Sequence, residues 1–130
     1  MSDVTFKKVT LYTDESDGRS KFRDENLEMV ESGVIGFLSN IYGATGYQLR
    51  HSPVGYGNTF HSTMEPQWVF VLSGVMQIEL RDGTVRDFKA GESFFSADTP
   101  PKADFPEEVV GHISREVGGE PLRTLFVKVP

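Results

Sequence analysis

Between Gln67 and Ala97 the chain changes character every five or six residues, and this cadence restricts the fold more than any other feature. Gln67-Trp68-Val69-Phe70-Val71-Leu72 is an almost unbroken apolar run closed by Ser73-Gly74. A strand apolar on both sides must be covered on both faces, by an interior on one side and by a second layer or a partner subunit on the other. In Val75-Met76-Gln77-Ile78-Glu79-Leu80, the apolar Met76, Ile78 and Leu80 alternate with Gln77 and Glu79, the pattern of a half-exposed strand. Asp82-Gly83 then gives a strong hairpin signal, so Thr84–Phe88 should return antiparallel to the preceding strand. Ala90-Gly91-Glu92 is a second turn, and Ser93–Ala97 a further strand.

The same punctuation runs through the rest of the chain. With 13 Gly and 7 Pro in 130 residues, turns recur too often for long helices, and the segments between them are rich in β-branched and aromatic residues. Val4-Thr5-Phe6 and Val9–Tyr12 read as edge strands, and the charged stretch Asp14–Asn26 as a solvated loop or surface arm. Val34–Tyr42, Tyr47–His51, Gly57–Thr63 and Val109–Arg115 read as further strands. Leu122–Val129 closes the sheet, with Leu125, Val127 and Val129 on one face. Three prolines make Asp98–Glu108 a loop, because proline cannot donate to a ladder. About eight to ten strands result, enough for a small barrel or double sheet. The length suits one domain, with residues 1–42 as N-terminal strands and surface arm and residues 43–130 as the barrel core.

Composition excludes several chemistries. There is no cysteine, hence no disulfide scaffold, thiolate zinc site or cysteine nucleophile. The net charge is −6 with no basic stripe, which argues against nucleic acid as a partner. No apolar run is long enough for a bilayer span, and the start has neither a basic nor an apolar signal region. The expectation is a cytoplasmic protein without a membrane partner.

Three histidines remain as chemical candidates: His51, His61 and His112. As part of a strand, His61 would share a face with Thr63, and a barrel would place both on its inner wall with Gln67. His112, from a distant strand, would meet them there. Arg50 shares a strand face with Gln48 and is placed to reach an anionic substrate. Tyr47, Trp68, Phe70 and Phe94 are candidates for an apolar pocket lining. Asp98 or Glu116 could orient an imidazole.

At these residues the chain resembles the cupin superfamily. Gly55, His61, Thr63, Gln67 and Gly74 stand at the spacing of that family's first motif, with Thr63 in place of its second histidine and Gln67 in place of its glutamate. Gly91 matches the start of the second motif, Ala97-Asp98-Thr99 stands where it has Pro-x-Gly, His112 best fills its histidine, and Glu116 falls at its closing asparagine. The resemblance covers Gly43 to the C-terminus. It implies an all-β fold, an antiparallel double-stranded β-helix (jelly-roll) barrel, and by family habit a homodimer. It also implies one divalent ion (Fe, Mn, Ni or Zn) on His61, Gln67 and His112, or no metal, since an imidazole and a carboxylate of the family's ligand set are replaced.

Two functional readings follow. One is an enzyme acting on a small, potentially anionic organic molecule inside the barrel, as a metal-assisted oxygenase, isomerase or lyase, or with His61 and His112 as metal-free acid and base. The other is a non-catalytic small-molecule binding or sensing module. Gln67, Thr63, Arg50, Tyr47, Phe94 and Asp98 are the expected ligand-binding residues in both, and whether the chain is an enzyme stays open.

Overall fold

A computed structural model describes residues 4–130. The strands are β1 (Thr5–Thr13), β2 (Ser20–Glu28), β3 (Val30–Glu31), β4 (Phe37–Leu38), β5 (Gly46–Ser52), β6 (Gln67–Ser73), β7 (Val75–Leu80), β8 (Val85–Lys89), β9 (Ser93–Ala97), β10 (His112–Glu116) and β11 (Leu122–Lys128). Two short 3-10 turns, Gly33–Ile35 and Glu107–Val109, are the helical elements among the described residues.

The strands form a six-stranded sheet in the order β2-β1-β9-β6-β11-β5 and a three-stranded sheet in the order β10-β7-β8. Strands β3 and β4 form a small ladder of their own. Val69 and Val71 of β6, Leu11 of β1, Phe94 of β9 and Phe126 of β11 meet Met76, Ile78 and Leu80 of β7 and Phe88 of β8 in one core. The core therefore lies between the two sheets. Phe88 and Phe94 cross the gap with ring centroids 4.6 Å apart.

Alternation decides which face each strand buries. In β7 the buried residues are Met76, Ile78 and Leu80, as the apolar period of two requires. The Asp82-Gly83 turn closes the β7–β8 hairpin, with Gly83 at φ +89° and the Asp82 carboxylate accepting from the Thr84 amide at 2.9 Å. In β6, Val69 and Val71 point inward. Trp68 and Phe70 point outward beneath an aromatic layer in which Trp68 stacks on Phe70 at 5.5 Å and meets the edges of Phe6 and Phe95. Part of the second cover that β6 needs therefore comes from this chain's own rings.

Several expectations are corrected. The first strand is a single element inside the large sheet, not a pair of edge strands, because it pairs antiparallel with β2 and parallel with β9. The charged stretch after Asp14 is a turn followed by β2, a nine-residue strand at the sheet edge whose charges face solvent. Val34–Tyr42 is mostly irregular, since its apolar side chains find no inner face to occupy. Residues 57–63 form two isolated bridges to β10, Gly57 opposite Arg115 and His61 opposite His112, rather than a full strand. Leu125 and Val127 do share a face, but it is the outer one, and β11 buries Leu122, Thr124 and Phe126 instead.

Candidate functional site

His61 and His112 lie opposite each other across an antiparallel bridge. Each backbone amide donates to the other's carbonyl at 3.0 Å. Opposite residues in such a pair project to the same side, and the imidazole centroids are 4.7 Å apart. Gly111 permits this approach. It sits at φ +91°, and a Cβ there would fall 2.8 Å from the His61 carbonyl oxygen. Glycine suits such a conformation and leaves room for the facing backbone.

Each ring is held by its Nδ1. That of His61 donates to the Thr59 carbonyl at 2.8 Å. A carbonyl can only accept, so this nitrogen carries the proton. His112 Nδ1 lies 2.7 Å from Asp98 Oδ2. Burial raises the Asp98 pKa, but hydrogen bonds from His112, Ser20 and Thr13 together outweigh it and hold the carboxyl below its ordinary value. The carboxylate is thus ionised at neutral pH and accepts the His112 Nδ1 proton. A neutral ring held in this way is left with its lone pair on Nε2. Neither Nε2 has a protein hydrogen-bond partner among the described residues, and no buried side-chain nitrogen or oxygen there is left orphaned. Both lone pairs therefore open onto accessible space.

Asp98 is almost completely buried, at 1% exposure, yet its supports come from far along the chain. Thr13 Oγ1 lies 2.6 Å from Oδ1, and Ser20 Oγ donates to Oδ2 at 2.5 Å. These residues end β1 and begin β2, so the first hairpin fixes the carboxylate that fixes His112.

The accessible space is a cavity of about 240 Å³ between the sheets, lined by both histidines. Val69, Met76, Phe94 and Phe126 supply apolar wall, while Thr63, Gln67, Arg50 and Lys128 supply polar wall. The volume is small even for ligand pockets, which commonly span ~300–1,000 Å³. Thr63 is buried, with its amide donating to the Asp98 carbonyl at 2.7 Å and its hydroxyl 2.5 Å from that of Ser96. Lys128 stands opposite Gln67 in the β11–β6 register and donates to Gln67 Oε1 at 3.2 Å. Arg50 lies on the inner side of β5, with its guanidinium 3.7 Å from the Phe126 ring centroid and its Nε donating to Gln48 at 2.7 Å. The cavity wall thus carries two permanent cations against one carboxylate, that of Glu65.

Of the residues singled out from sequence, His61, His112, Gln67, Thr63, Arg50 and Phe94 come together on this cavity. Asp98 lies behind the wall as the partner of His112. Tyr47 lies on the opposite, outer side of the large sheet, beside Leu49, Leu125 and Val127. His51 is exposed in the same strand. Glu116 orients no imidazole. Its carboxylate instead accepts from the Gly55 amide at 2.8 Å and the Gly119 amide at 2.5 Å. The Gly55 bond leads the backbone contacts that, against burial, hold its pKa below the usual value. It thereby ties the loop leading toward His61 to the turn after β10. Sequence reasoning missed Lys128, Thr13 and Ser20. Lys128 was accessible through its parity with Leu122, Thr124 and Phe126, but nothing local marks the other two.

The donor set does not fit a divalent metal ion. Among the described residues no group of three or more histidine, aspartate and glutamate side chains is arranged to hold one. Two imidazoles remain, and the amide oxygen that would complete a three-ligand set already accepts from the Lys128 ammonium. A cation at that oxygen repels a second cation and attracts an anion.

Comparison with known proteins adds little. No family model matches the chain, and no curated protein matches it. Among solved structures, it is similar to a Salmonella typhimurium LT2 protein assigned provisionally as ethanolamine utilization protein Q, at 13% identity over 98% of each chain with a TM-score of 0.43. Likeness at that level carries no inference about this chain. Among the described residues, no helix is long and apolar enough to cross a membrane.

Proposed function

We propose that this chain is a small cupin-like protein that binds a small organic anion, without a metal ion, in the cavity between its sheets. The supporting observation is convergence. Two imidazoles, each held through Nδ1, share a cavity wall with Arg50 and Lys128, the latter bonded to Gln67. The two cations would hold the anionic group. Val69, Met76, Phe94 and Phe126 would enclose the carbon skeleton. The imidazoles would meet its other end as hydrogen-bond acceptors.

The His112–Asp98 pair favours a second reading, proton transfer on the bound anion. An ionised carboxylate on Nδ1 stabilises an imidazolium and makes Nε2 the better base. His112 would take a proton from the ligand on Nε2 and return it from the same nitrogen to another atom of the ligand.

Thermal-shift screening of small mono- and dicarboxylates and of inorganic phosphate tests the binding reading. An anion at 100 times its Kd should add about 2.7 kcal/mol of stability. Arg50→Ala and Lys128→Met should each abolish the shift, and Mn(II), Fe(II), Ni(II) or Zn(II) should give none. A metal-induced shift that needs His61, with no response to any anion, would reverse the assignment.

A further inference from the structure

The segment that carries His61 meets β10 through isolated bridges rather than a continuous ladder. The spacing of the two imidazoles therefore leans on side-chain contacts, and one residue supplies three of them. Arg81 directly follows β7. Its guanidinium carbon lies 3.7 Å from the centroid of the Phe60 ring. Its Nε donates to the Val110 carbonyl at 3.1 Å, and its Nη2 donates to the Glu107 carbonyl at 2.9 Å. Phe60 immediately precedes His61, and Gly111 alone separates Val110 from His112. A single side chain thus grips both segments that bear the rings. None of Arg81, Phe60, Glu107 and Val110 lines the cavity, so the grip is applied from outside it.

The grip has a firm base. Leu80, the neighbour of Arg81, is buried in the core and stands opposite His112 in the β10–β7 register. Its tip also suits the task. A planar guanidinium can send separate N–H groups to two carbonyls while its face rests on a ring, whereas a lysine ammonium has neither the fork nor the face. Among the described residues Arg81 forms no ion pair. Its half-buried charge is directed at backbone and ring, not at a surface carboxylate.

We propose that Arg81 is the positioning residue of the imidazole pair: by tying Phe60 and the carbonyls of Glu107 and Val110 to the end of β7, it sets how far apart the His61 and His112 rings stand. Its effect on affinity rests on the anion-binding reading of the cavity; the positioning does not. In NMR, nuclear Overhauser contacts should join the two imidazoles of the wild type, whose centroids are 4.7 Å apart. Arg81→Lys and Arg81→Ala should both lose these contacts, and Phe60→Leu should weaken them. Binding of succinate and of inorganic phosphate, read by titration calorimetry, should weaken roughly 10- to 100-fold in both Arg81 variants, as loss of a supporting partner behind a site commonly does. Arg115 provides the control, because its side chain donates to Gln77 and Glu79 of β7 and to neither histidine segment. Arg115→Ala removes two hydrogen bonds from the same small sheet and should leave ring contacts and affinities unchanged. Ring contacts that persist in Arg81→Ala, or that vanish equally in Arg115→Ala, would overturn the proposal. A wild type that binds neither probe would refute the anion reading, and the ring contacts would still decide the role of Arg81.

Discussion

Replacing Asp98 with Asn keeps the shape of the side chain and changes one oxygen into a donor. In the native protein Oδ2 accepts from Ser20 Oγ and from His112 Nδ1, and Oδ1 lies 2.6 Å from Thr13 Oγ1. The Thr13 hydroxyl has one proton and also reaches the Thr99 carbonyl at 2.5 Å, so its loss from Asp98 is partly offset. An amide NH₂ in the Oδ1 position would face Thr13 Oγ1, which can accept from it while donating to the Thr99 carbonyl. The amide oxygen would keep the bonds from Ser20 and His112, but as a neutral acceptor. Hydrogen bonds to an ionised group contribute about 1.5–3 kcal/mol each, and part is recovered by this rearrangement. A net loss of about 2–3 kcal/mol is expected, a large share of a typical ~5–15 kcal/mol total. Urea unfolding would measure it, with an unchanged m-value showing that the fold persists. The decisive assay is long-range ¹H–¹⁵N NMR of the imidazoles. Neutral His112 should be the Nδ1–H tautomer in the native protein and in Asp98→Asn, where the amide oxygen still accepts from it. An Nε2–H tautomer in the native protein, or a variant that loses no stability, would refute the account of how His112 is oriented.

Gly111→Ala should cost about 2–4 kcal/mol in urea unfolding, from the positive φ and the clash with the His61 backbone, and amide exchange at His61 and His112 should accelerate more than at β7. Asp98 and Glu116 both titrate below their ordinary values, so each contributes stability that is present above its unfolded pKa and is lost as pH falls through the folded one. Native stability should therefore fall on acidification below about pH 4, and Asp98→Asn and Glu116→Gln should each flatten that slope in pH-dependent urea melts. Ile78→Ala empties a fully buried position at the centre of the core and should cost about 2–5 kcal/mol by the same measurement, without altering the imidazole tautomers.

The hairpin of β7 and β8 was legible because three local signals agreed there: a period of two, an Asp-Gly turn and polar partners facing solvent. The convergence of His61, Gln67 and His112 was also readable, through motif spacing on either side of that hairpin. The N-terminal third was not. The charges of β2 suggest a loop when read alone, yet an edge strand can keep them in water while its ladder forms with β1. Tyr47 and Leu125 show the other limit. Period-two reasoning groups residues by face but cannot say which face is inside until a neighbouring strand sets the register. Thr13 and Ser20 were beyond reach for a similar reason, since their contacts with Asp98 span 85 and 78 positions.

That long reach has a consequence for how the protein matures. The ribosome makes the hairpin holding Thr13 and Ser20 well before the aspartate it clasps, and His112 later still. Contacts so distant in sequence tend to form slowly. As the finished chain folds, the cavity can acquire its greasy walls while the His112 ring still swings without a fixed proton. Shortening the N-terminus past Ser20 would accordingly leave a chain able to collapse yet unable to choose which nitrogen of His112 faces the ligand.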